Sequence, residues 1–393
     1  TVASGDARLN YPMIDGKVSG CPHHLIEPSR TNLISYSEDF SQSSWVGGSV
    51  TRELNQIISP DGTLNATKLS ATASFSQIQQ SYTSVNNTDY TLSLFVKSPS
   101  SNVIGLRLAS GTNDVRREFN LSTLSIQSMG GNNQELIDEG IVDFGNGWYR
   151  IFLTCKSDGT SSFLNIYPKN SSDATFQSTY VYGAQVEQGS YPTSYIPTNG
   201  SAATRNADTG VPSNKGIQTG DISSYVDGSN GVFYFEGSFA DFNVVNRITL
   251  SNSTGGFGGD YISIATNNSG STEENKRTEI VVFYKIETPL STGVEKAIVN
   301  DVRDNFKMAI SWDGTTLKGY ANGVEFFSNS ETAFGGFDRI YFSRADNNIA
   351  GVFHGKQKDL RVYDTALNDT DLETLTSWTS FNEMAQAQLY KTY

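Results

Sequence analysis

The sequence predicts an all-β protein divided into two antiparallel β-sandwich domains, with helix confined to the C-terminal end. Three observations lead to this class. The 393 residues include 19 Tyr and 22 Phe, and aromatic residues favour strands. Short alternations of apolar and polar residues follow one another at turn-sized intervals, with no helical period between them. The chain also exceeds the length that one hydrophobic core usually holds, so we expect two domains.

The composition excludes two classes of partner. The formal net charge is −13, whereas proteins that bind the nucleic-acid backbone carry clustered Lys and Arg, so we expect no nucleic-acid partner. No apolar run approaches the roughly 20 residues that span a bilayer, so we expect no membrane insertion. The two cysteines, Cys21 and Cys155, are too few for a disulfide framework. Cys155 alternates with Ile151 and Leu153, which predicts a buried thiol.

Residues 1–35 are predicted to form an extended N-terminal segment. Proline and glycine break every periodic pattern in it, and segments of this kind usually lie over a neighbouring domain or subunit. His23 and His24 are adjacent, so on a strand they would face opposite sides, which argues against a shared metal site.

Residues 36–208 are predicted to form the first sandwich. The sequence Ser-Pro-Asp-Gly at 59–62 is typical of a turn, because Pro suits the first central position and Gly accepts positive φ. The last strand, at 180–187, leads into a stretch that two prolines interrupt. Prolines cannot continue a hydrogen-bonded ladder, so this stretch must run as an extended strap.

Residues 229–378 are predicted to form the second sandwich, after a linker at 209–228 that is rich in Gly, Ser, Asn and Asp. The strongest local signals are Asp-Gly at 313–314 and Asn-Gly at 322–323, because both central residues of such hairpin turns can take positive φ. These turns predict a three-stranded meander. Residues 276–280 alternate in charge, which is typical of a solvated strand face.

Helix is predicted only near the C-terminus. Residues 368–375 begin with acidic side chains, which suit a helix N-terminus. Ser380 and Glu383 have the spacing of a capping box, and an apolar stripe follows them. We therefore predict a C-terminal helix within residues 379–393, too short to be stable unless its stripe docks on something.

Six short motifs stand out in the N-terminal part: Gly20-Cys21-Pro22, LIEPSRTNL at 25–33, YSEDF at 36–40 with Trp45, GWYR at 147–150, GAQVE at 183–187 and SYIPT at 194–198. Together they resemble a module that is common in tailed-phage tail-fibre and virion proteins. The resemblance spans roughly residues 7–208, and the combination of its motifs is more specific than any one of them. The module is similar in layout to carbohydrate-binding β-sandwiches, and the resemblance implies a virion setting without catalytic residues.

The C-terminal part resembles the concanavalin-A-like fold of laminin-G-like modules, lectins and glucanases. The Trp312-Asp313-Gly314 to Asn322-Gly323 meander and the ending DLRVYDTAL at 359–367 carry this resemblance. The fold hosts lectins, adhesion modules, hydrolases and lyases alike, so it predicts architecture rather than activity. The predicted fold class is therefore two antiparallel β-sandwich (jelly-roll, concanavalin-A-like) domains with a short C-terminal helix.

The sequence contains no recognisable catalytic constellation. The Glu-x-Asp-x-x-Glu strand of the glucanase relatives is absent. Arg277-Thr278-Glu279 faintly resembles one strand of alginate-lyase-like sandwiches, but the partner motifs of such a site are missing. His354 has no second His or Cys nearby and is predicted to be a surface residue beside a turn. We therefore expect no enzyme activity and no catalytic residue.

Three loop aromatics are candidates for carbohydrate binding, which needs an exposed ring with planar hydrogen-bonding groups beside it. They are Tyr191, Tyr195 and Phe257. Each ring is equally compatible with an anchor that packs on its own domain.

Calcium is the one cofactor that the sequence leaves open. Lectin-like sandwiches often hold this ion with Asp, Asn and carbonyl oxygens at loop tips. The candidate ligands are Asp260, Asp346 and Asn347. Polar turn residues also occur without an ion, so both interpretations stand.

The leading hypothesis is an extracellular phage virion protein: a tail fibre or related host-adhesion component with lectin-like domains that recognise a host cell-surface glycan. Its partners would be that glycan and other virion proteins. A polysaccharide depolymerase, either hydrolase or lyase, and a purely structural virion subunit are the alternatives. We also predict a homotrimer, because residues 1–35 include apolar side chains such as Leu25 and Ile26 that need burial, and because tail-fibre proteins commonly trimerise.

Overall fold

The computed structural model divides the protein into two compact units. The N-terminal unit comprises residues 13–19 and 29–207, and the C-terminal unit comprises residues 1–12, 20–28 and 208–393. Among the described residues no helix is long and apolar enough to cross a membrane. The structure describes residues 8–10, 13–14, 17–18, 23–74, 76–98, 102–131, 135–168, 177–208, 222–223, 226, 228–252, 259–267, 272–343 and 351–380.

The predicted N-terminal segment contributes strands to both units. Its strands are β1 (Leu9–Asn10), β2 (Met13–Ile14), β3 (Lys17–Val18), β4 (His23–Ile26) and β5 (Arg30–Asn32). In the C-terminal unit β4 pairs with the last strand of the chain, and Ile26, 1% exposed, joins the core. Arg8 fixes this part by ion pairs to Glu27 (2.6 Å) and Asp208 (2.8 Å). Residues 1–35 are therefore shared between the two units, and Ile26 needs no partner subunit for burial.

The N-terminal unit is an antiparallel sandwich of two six-stranded sheets. Sheet I has the order β14-β15-β10-β17-β8-β7, and sheet II has the order β13-β12-β11-β16-β9-β6. The short β18 pairs with β5. The strands are β6 (Val46–Gly48), β7 (Val50–Ile58), β8 (Leu64–Ala71), β9 (Gln77–Thr83), β10 (Asp89–Lys97), β11 (Val103–Ser110), β12 (Asn113–Asn120), β13 (Ser125–Gly131), β14 (Leu136–Gly145), β15 (Trp148–Lys156), β16 (Ser161–Tyr167), β17 (Ser178–Gln188) and β18 (Ala203–Arg205).

The core of this unit lies between the two sheets, and alternation decides which residues enter it. Leu92 and Leu94 of β10 face inward together with Ile151 and Leu153 of β15. Cys155 continues this row as a free thiol that is 1% exposed, which confirms the prediction of a buried thiol. The predicted turn at 59–62 is also present, with Gly62 N–H bonded to Ser59 O at 3.0 Å.

The C-terminal unit is the second antiparallel sandwich. Sheet III has the order β1-β4-β28-β19-β24-β25-β26, and sheet IV has the order β23-β22-β21-β20-β27. Phenylalanines such as Phe233, Phe235 and Phe306 fill the core between them. The elements are β19 (Gly231–Phe239), β20 (Arg247–Ser251), β21 (Tyr261–Thr266), α1 (Glu273–Thr278), β22 (Glu279–Ile286), β23 (Ser291–Ile298), β24 (Phe306–Trp312), β25 (Thr316–Ala321), β26 (Val324–Ser330), β27 (Arg339–Tyr341), β28 (Gly355–Tyr363) and α2 (Asp369–Thr376).

Together the two sandwiches confirm the predicted all-β class, and the meander β24-β25-β26 is present. Its two turns differ. Asn322 and Gly323 both have positive φ (49° and 84°), as expected for an Asn-Gly hairpin. At the first turn only Gly314 does so (80°). Asp313 instead accepts the N–H groups of the two residues after Gly314, so its side chain builds the turn.

Helix occurs at the predicted place and at one unpredicted place. The helix α2 packs Leu372 on the outer face of sheet III beside Tyr234, in line with the acidic start at residue 368. Residues 276–278, expected on a strand, instead belong to α1, which Thr272 caps by accepting the N–H of Asn275. The predicted helix within 379–393 and most of the predicted linker 209–228 lie outside the described residues.

Candidate functional site

The strap, residues 189–200, runs along the outer face of sheet I and is held by side chains of the motifs at 25–33 and 183–187. Asn32 is 0% exposed, and its amide nitrogen donates to Ala184 O (3.1 Å) and Ile196 O (2.9 Å). The Glu187 carboxylate, also 0% exposed, accepts the N–H (2.8 Å) and hydroxyl (2.6 Å) of Thr193. The motif residues therefore close the strap onto the sheet, which is a structural task rather than ligand recognition.

Tyr191 and Tyr195, both predicted as sugar platforms, serve as anchors of this strap. The ring of Tyr191 is 8% exposed and lies 5.6 Å from the guanidinium of Arg30. The Tyr195 hydroxyl is 2.5 Å from Ser37 Oγ and donates to Glu38 Oε1 at 3.0 Å. Tyr191 is buried and Tyr195 is half-buried among its neighbours, which favours the anchor interpretation over the sugar-platform one for both. Phe257 lies outside the described residues.

The surroundings of Tyr195 form a small second core on the outer face of sheet I. Its ring packs edge-on against Phe95 and Tyr182, at 6.1 and 5.4 Å between ring centres. The Tyr182 hydroxyl is hydrogen-bonded to Glu38 (3.1 Å) and Asp61 (2.9 Å). Burial, together with these two carboxylates, raises the pKa of Tyr182 well above its ordinary value. The part of this face around Tyr195 is therefore filled by the protein itself.

Asp260, predicted as a calcium ligand, uses its carboxylate within the protein. The residue is 4% exposed. Its Oδ1 accepts the N–H of Glu287 at 2.7 Å and its Oδ2 accepts the N–H of Gly335, so it ties two loops together. The other predicted ligands, Asp346 and Asn347, lie outside the described residues. Within the described ranges no three His, Cys, Asp or Glu residues are grouped as a metal site would need.

The weak lyase-like motif is dispersed by the fold. Arg277 lies in α1 with its guanidinium 4.6 Å from the ring centre of Phe242. Glu279, on β22, is 8% exposed and accepts hydrogen bonds from Asn267 (2.6 Å) and Lys296 (2.8 Å). His354 is half-buried, and its backbone N–H donates to an asparagine. The described contacts of these groups are therefore made within the protein itself.

The outer face of sheet II has a different character, with half-buried aromatic rings and planar polar groups side by side. Residues of β11, β12, β16 and β9 that alternate with the core side chains point to this face. Arg107, Asn165 and Gln79 lie in one row across three adjacent strands. We call the following set the polar face: Gln79, Arg107, Asp114, Arg116, Phe163, Asn165 and Tyr167.

An arginine pair around one carboxylate fixes the centre of the polar face. Arg107 binds Asp114 in a bidentate manner (2.7 and 3.1 Å), and Arg116 Nε lies 3.0 Å from both oxygens of the same carboxylate. Burial alone would raise the pKa of Asp114, but the hydrogen bonds from both guanidinium groups hold it below its ordinary value. The Arg107 guanidinium also stacks 4.6 Å from the ring centre of Phe163, so this aromatic ring is held in a defined place.

Tyr167 and Gly105 complete the polar face at its next row. Burial raises the pKa of Tyr167, so its hydroxyl stays protonated and can donate at neutral pH. Gly105 lies beside Tyr167 in the register, and a Cβ there would come within 2.7 Å of Met129 Sδ. The missing side chain therefore lets Met129 approach the sheet next to Tyr167.

The chemistry of the polar face suits recognition of hydroxyl groups. It combines aromatic rings with guanidinium and amide groups. In protein sites, rings of this kind pack on the apolar face of a ligand while the polar groups form hydrogen bonds with its polar edge. Its carboxylate Asp114 is saturated by arginines and cannot act as a general acid near neutral pH. The alternation of Phe163, Asn165 and Tyr167 along the sequence was the available signal for this face, but it did not show which strands would be neighbours.

The C-terminal unit has a polar groove of about 180 Å³ between the β24–β25 hairpin and the start of α2. Lys318 and Asp369 line it and form an ion pair at 2.6 Å. Asp313 lines it too, but one of its oxygens already accepts the turn N–H groups. The groove has no aromatic ring among its lining residues, so it lacks the stacking surface of the polar face.

Comparisons with known proteins give only distant likenesses. No protein-family model matches the sequence, and no curated protein matches it. Among solved structures, the chain is similar to the CBM40 of Ruminococcus gnavus IT-sialidase (16% identity, TM-score 0.31, covering 42% of this chain and 97% of that one). It is also similar to a heptameric SAP-like pentraxin from Limulus polyphemus (13%, 0.32, 42% and 76%). A third is the LG1-3 region of the laminin alpha2 chain (13%, 0.28, 75% and 66%). The β-sandwich assignment rests on the strand pairing and cores described above.

Proposed function

We propose that this protein is a glycan-binding component and that the polar face of the N-terminal unit is its binding site. The observation that carries this proposal is the row formed by Arg107, Asn165 and Gln79, which lies between the half-buried rings of Phe163 and Tyr167. Planar hydrogen-bonding groups beside aromatic rings match the edges and faces of a sugar ring.

We further propose that it acts in a phage tail fibre or related virion appendage, outside the cell and in contact with other virion proteins. The support is the sequence resemblance over residues 7–208. The structure gives several of the shared motif residues, Asn32 and Glu187 among them, a common task in closing the strap. The motifs therefore belong to the framework, which leaves the exposed strand faces free to differ between proteins of that kind.

The proposed role is binding rather than depolymerisation. Among the described residues, the carboxylates of the candidate regions are committed: Asp114 to two arginines, Glu279 to Lys296, and Asp260 to two backbone N–H groups. Purified protein should release neither reducing ends nor unsaturated sugars from bacterial polysaccharides. Release that a point mutation in this chain abolishes would overturn this part of the proposal.

Binding to an array of bacterial polysaccharides tests the proposal. Phe163→Ala and Arg116→Ala should each weaken binding of the captured polymer by about tenfold, since losing roughly 1.4 kcal/mol of contact costs that factor. Arg361→Ala is the matched control. It breaks a surface Arg–Asp pair with a half-exposed arginine (53%) on β28 of the C-terminal unit, and it should leave binding unchanged.

Two outcomes would contradict the assignment. If Arg361→Ala weakens binding while neither Arg116→Ala nor Phe163→Ala has any effect, the site lies in the C-terminal unit. If no polysaccharide binds the intact protein, the structural-subunit alternative takes the place of glycan binding.

A further inference from the structure

We infer that the sugar on the polar face is uncharged, and that Asn165 Oδ1 accepts a hydrogen bond from one of its hydroxyls. This inference rests on the proposed function and names the ligand class of the same site. It starts from Asn165, which is 0% exposed. Its Nδ2 donates to Gln79 Oε1 at 3.2 Å, whereas its Oδ1 has no hydrogen-bond partner among the described residues.

A buried acceptor without a hydrogen-bond partner costs free energy, and only a group that donates a proton can satisfy it. Leaving such an oxygen unsatisfied costs about 1–3 kcal/mol, so native proteins rarely keep one without a reason. An amide oxygen can only accept. A sugar hydroxyl has a proton to donate, whereas carboxylate, sulfate and phosphodiester groups have none at neutral pH. The atom therefore discriminates in favour of hydroxyls.

Asn165 lies between two long side chains of the neighbouring strands. Its register neighbours on the two adjacent strands are Arg107 and Gln79, both long and both half-buried rather than fully buried. Arg107 is drawn towards Asp114 on the strand beyond it. Rotation of these side chains, which needs no change in the backbone ladder, is the access to the acceptor that the inference requires.

The charges of the polar face also favour an uncharged ligand. Arg107 and Arg116 share Asp114. Glu118, 4% exposed and held by Gln127 at 2.6 Å, adds a second carboxylate in the next row. Two positive and two negative groups therefore cancel on this face. An anionic sugar would have to compete with Asp114 for the guanidinium groups, and the net charge of −13 would repel a polyanion.

The experiment compares neutral polysaccharides (dextran, mannan, galactan) with acidic ones (alginate, polygalacturonate, polysialic acid) on the intact wild-type protein. We expect capture of a neutral polymer, with an affinity that changes less than about twofold between about 50 and 500 mM NaCl, because screening acts only on charged contacts. Capture of an acidic polymer with an affinity that falls about tenfold or more over that range would overturn the inference while leaving glycan binding in place.

A pair of asparagine variants then tests the atom itself. Asn165→Ala should weaken binding of the captured neutral polymer about tenfold. Asn113→Ala, on β12 of the same sheet, removes an 8% exposed asparagine whose amide donates to Lys156 O, and it should not weaken binding. Thermal unfolding shows whether both variants are folded. If one of them is not, the comparison of neutral and acidic polysaccharides on the wild-type protein still decides the ligand class. A folded Asn165→Ala protein with unchanged affinity would refute the role of Asn165. Absence of binding to every polymer would instead refute the proposed function.

Discussion

Replacing Asn32 by alanine should lower the free energy of unfolding of the N-terminal unit by more than the loss of a typical polar side chain does. Asn32 Nδ2 donates to Ala184 O and Ile196 O, and Oδ1 accepts the N–H groups of Ile34 and Val186, both at 3.2 Å. One fully buried side chain thus satisfies four backbone groups in β17, the strap and the segment after β5. At about 1 kcal/mol for each hydrogen bond, plus the cost of leaving some of these groups unsatisfied, we expect a loss of about 3–5 kcal/mol.

The buried thiol provides an assay that reports on this unit alone. Cys155 is 1% exposed, and burial raises its pKa to about 12, so it should react with a disulfide reagent only after the N-terminal unit opens. Labelling is followed as a function of urea in a Cys21→Ser background. With a urea dependence of about 2 kcal/mol per molar, Asn32→Ala should lower the midpoint by about 1.5–2.5 M.

Asn113→Ala is the control for this prediction because it removes a buried asparagine whose amide donates to a single carbonyl. It should cost only about 1 kcal/mol. If Asn32→Ala and Asn113→Ala shift the urea midpoint equally, the strap does not depend on the four hydrogen bonds of Asn32. The role of Asn32 in closing the strap onto sheet I would then be refuted.

Two further predictions concern carboxylates of the C-terminal unit. Asp260→Ala should lower the free energy of unfolding by about 2–3 kcal/mol, since two loop N–H groups lose their acceptor. Calorimetry should show the same loss in about 1 mM calcium and in chelator, and a melting temperature that calcium raises only in the wild type would restore Asp260 as an ion ligand. Burial raises the pKa of Asp304 from 3.8 to about 6, and the neighbouring Asp301 adds to the shift. Because the folded state holds this proton more tightly than the unfolded chain, stability should fall as pH rises from about 4 to about 6. Asp304→Asn should remove that fall, and an unchanged pH profile in calorimetry would show that Asp304 does not titrate in this window.

The sequence was sufficient where the relevant signal is local. The Asn322-Gly323 turn and the buried Cys155 follow from residue types and alternation within one strand. Helix α1 was missed because its six residues include no buried side chain and therefore have no apolar stripe. Its only signals were the Thr272 cap and the order of acidic before basic residues along residues 273–277.

The polar face could not be predicted because it is a product of strand order. Arg107, Asn165 and Gln79 lie on three strands that are neighbours in sheet II but are separated in the chain by other strands that belong to sheet I. Alternation shows which residues of one strand share a face, but not which strands lie side by side. The same limit affected Tyr195: loop composition suggested exposure, whereas its hydroxyl reaches Ser37, 158 residues earlier in the chain.

The described C-terminal end indicates where the chain can be cut to test the predicted homotrimer. Lys307, 7% exposed, donates from Nζ to Ser377 O at 2.9 Å and lies 4.6 Å from the ring centre of Trp378. These contacts hold the segment after α2 on the outer face of sheet III. Removing the residues beyond 380 therefore leaves both contacts of Lys307 intact, whereas a chain that ends at residue 376 loses both of them.

A chain ending at residue 380 should keep both units folded and lose the trimer, because the helix predicted within 381–393 is too short to be stable alone and its apolar stripe would pack on another copy. Light scattering measures the mass of each form, and thermal unfolding measures its stability. The chain ending at residue 376 is the contrast: it should also lose the trimer, but with a lower melting temperature of the C-terminal unit, since Lys307 is left without its carbonyl and its aromatic ring. This comparison separates assembly from folding. A trimer that persists after truncation at residue 380 would show that the contact between copies lies elsewhere on the chain. An intact protein that is monomeric at micromolar concentration would refute the trimer hypothesis.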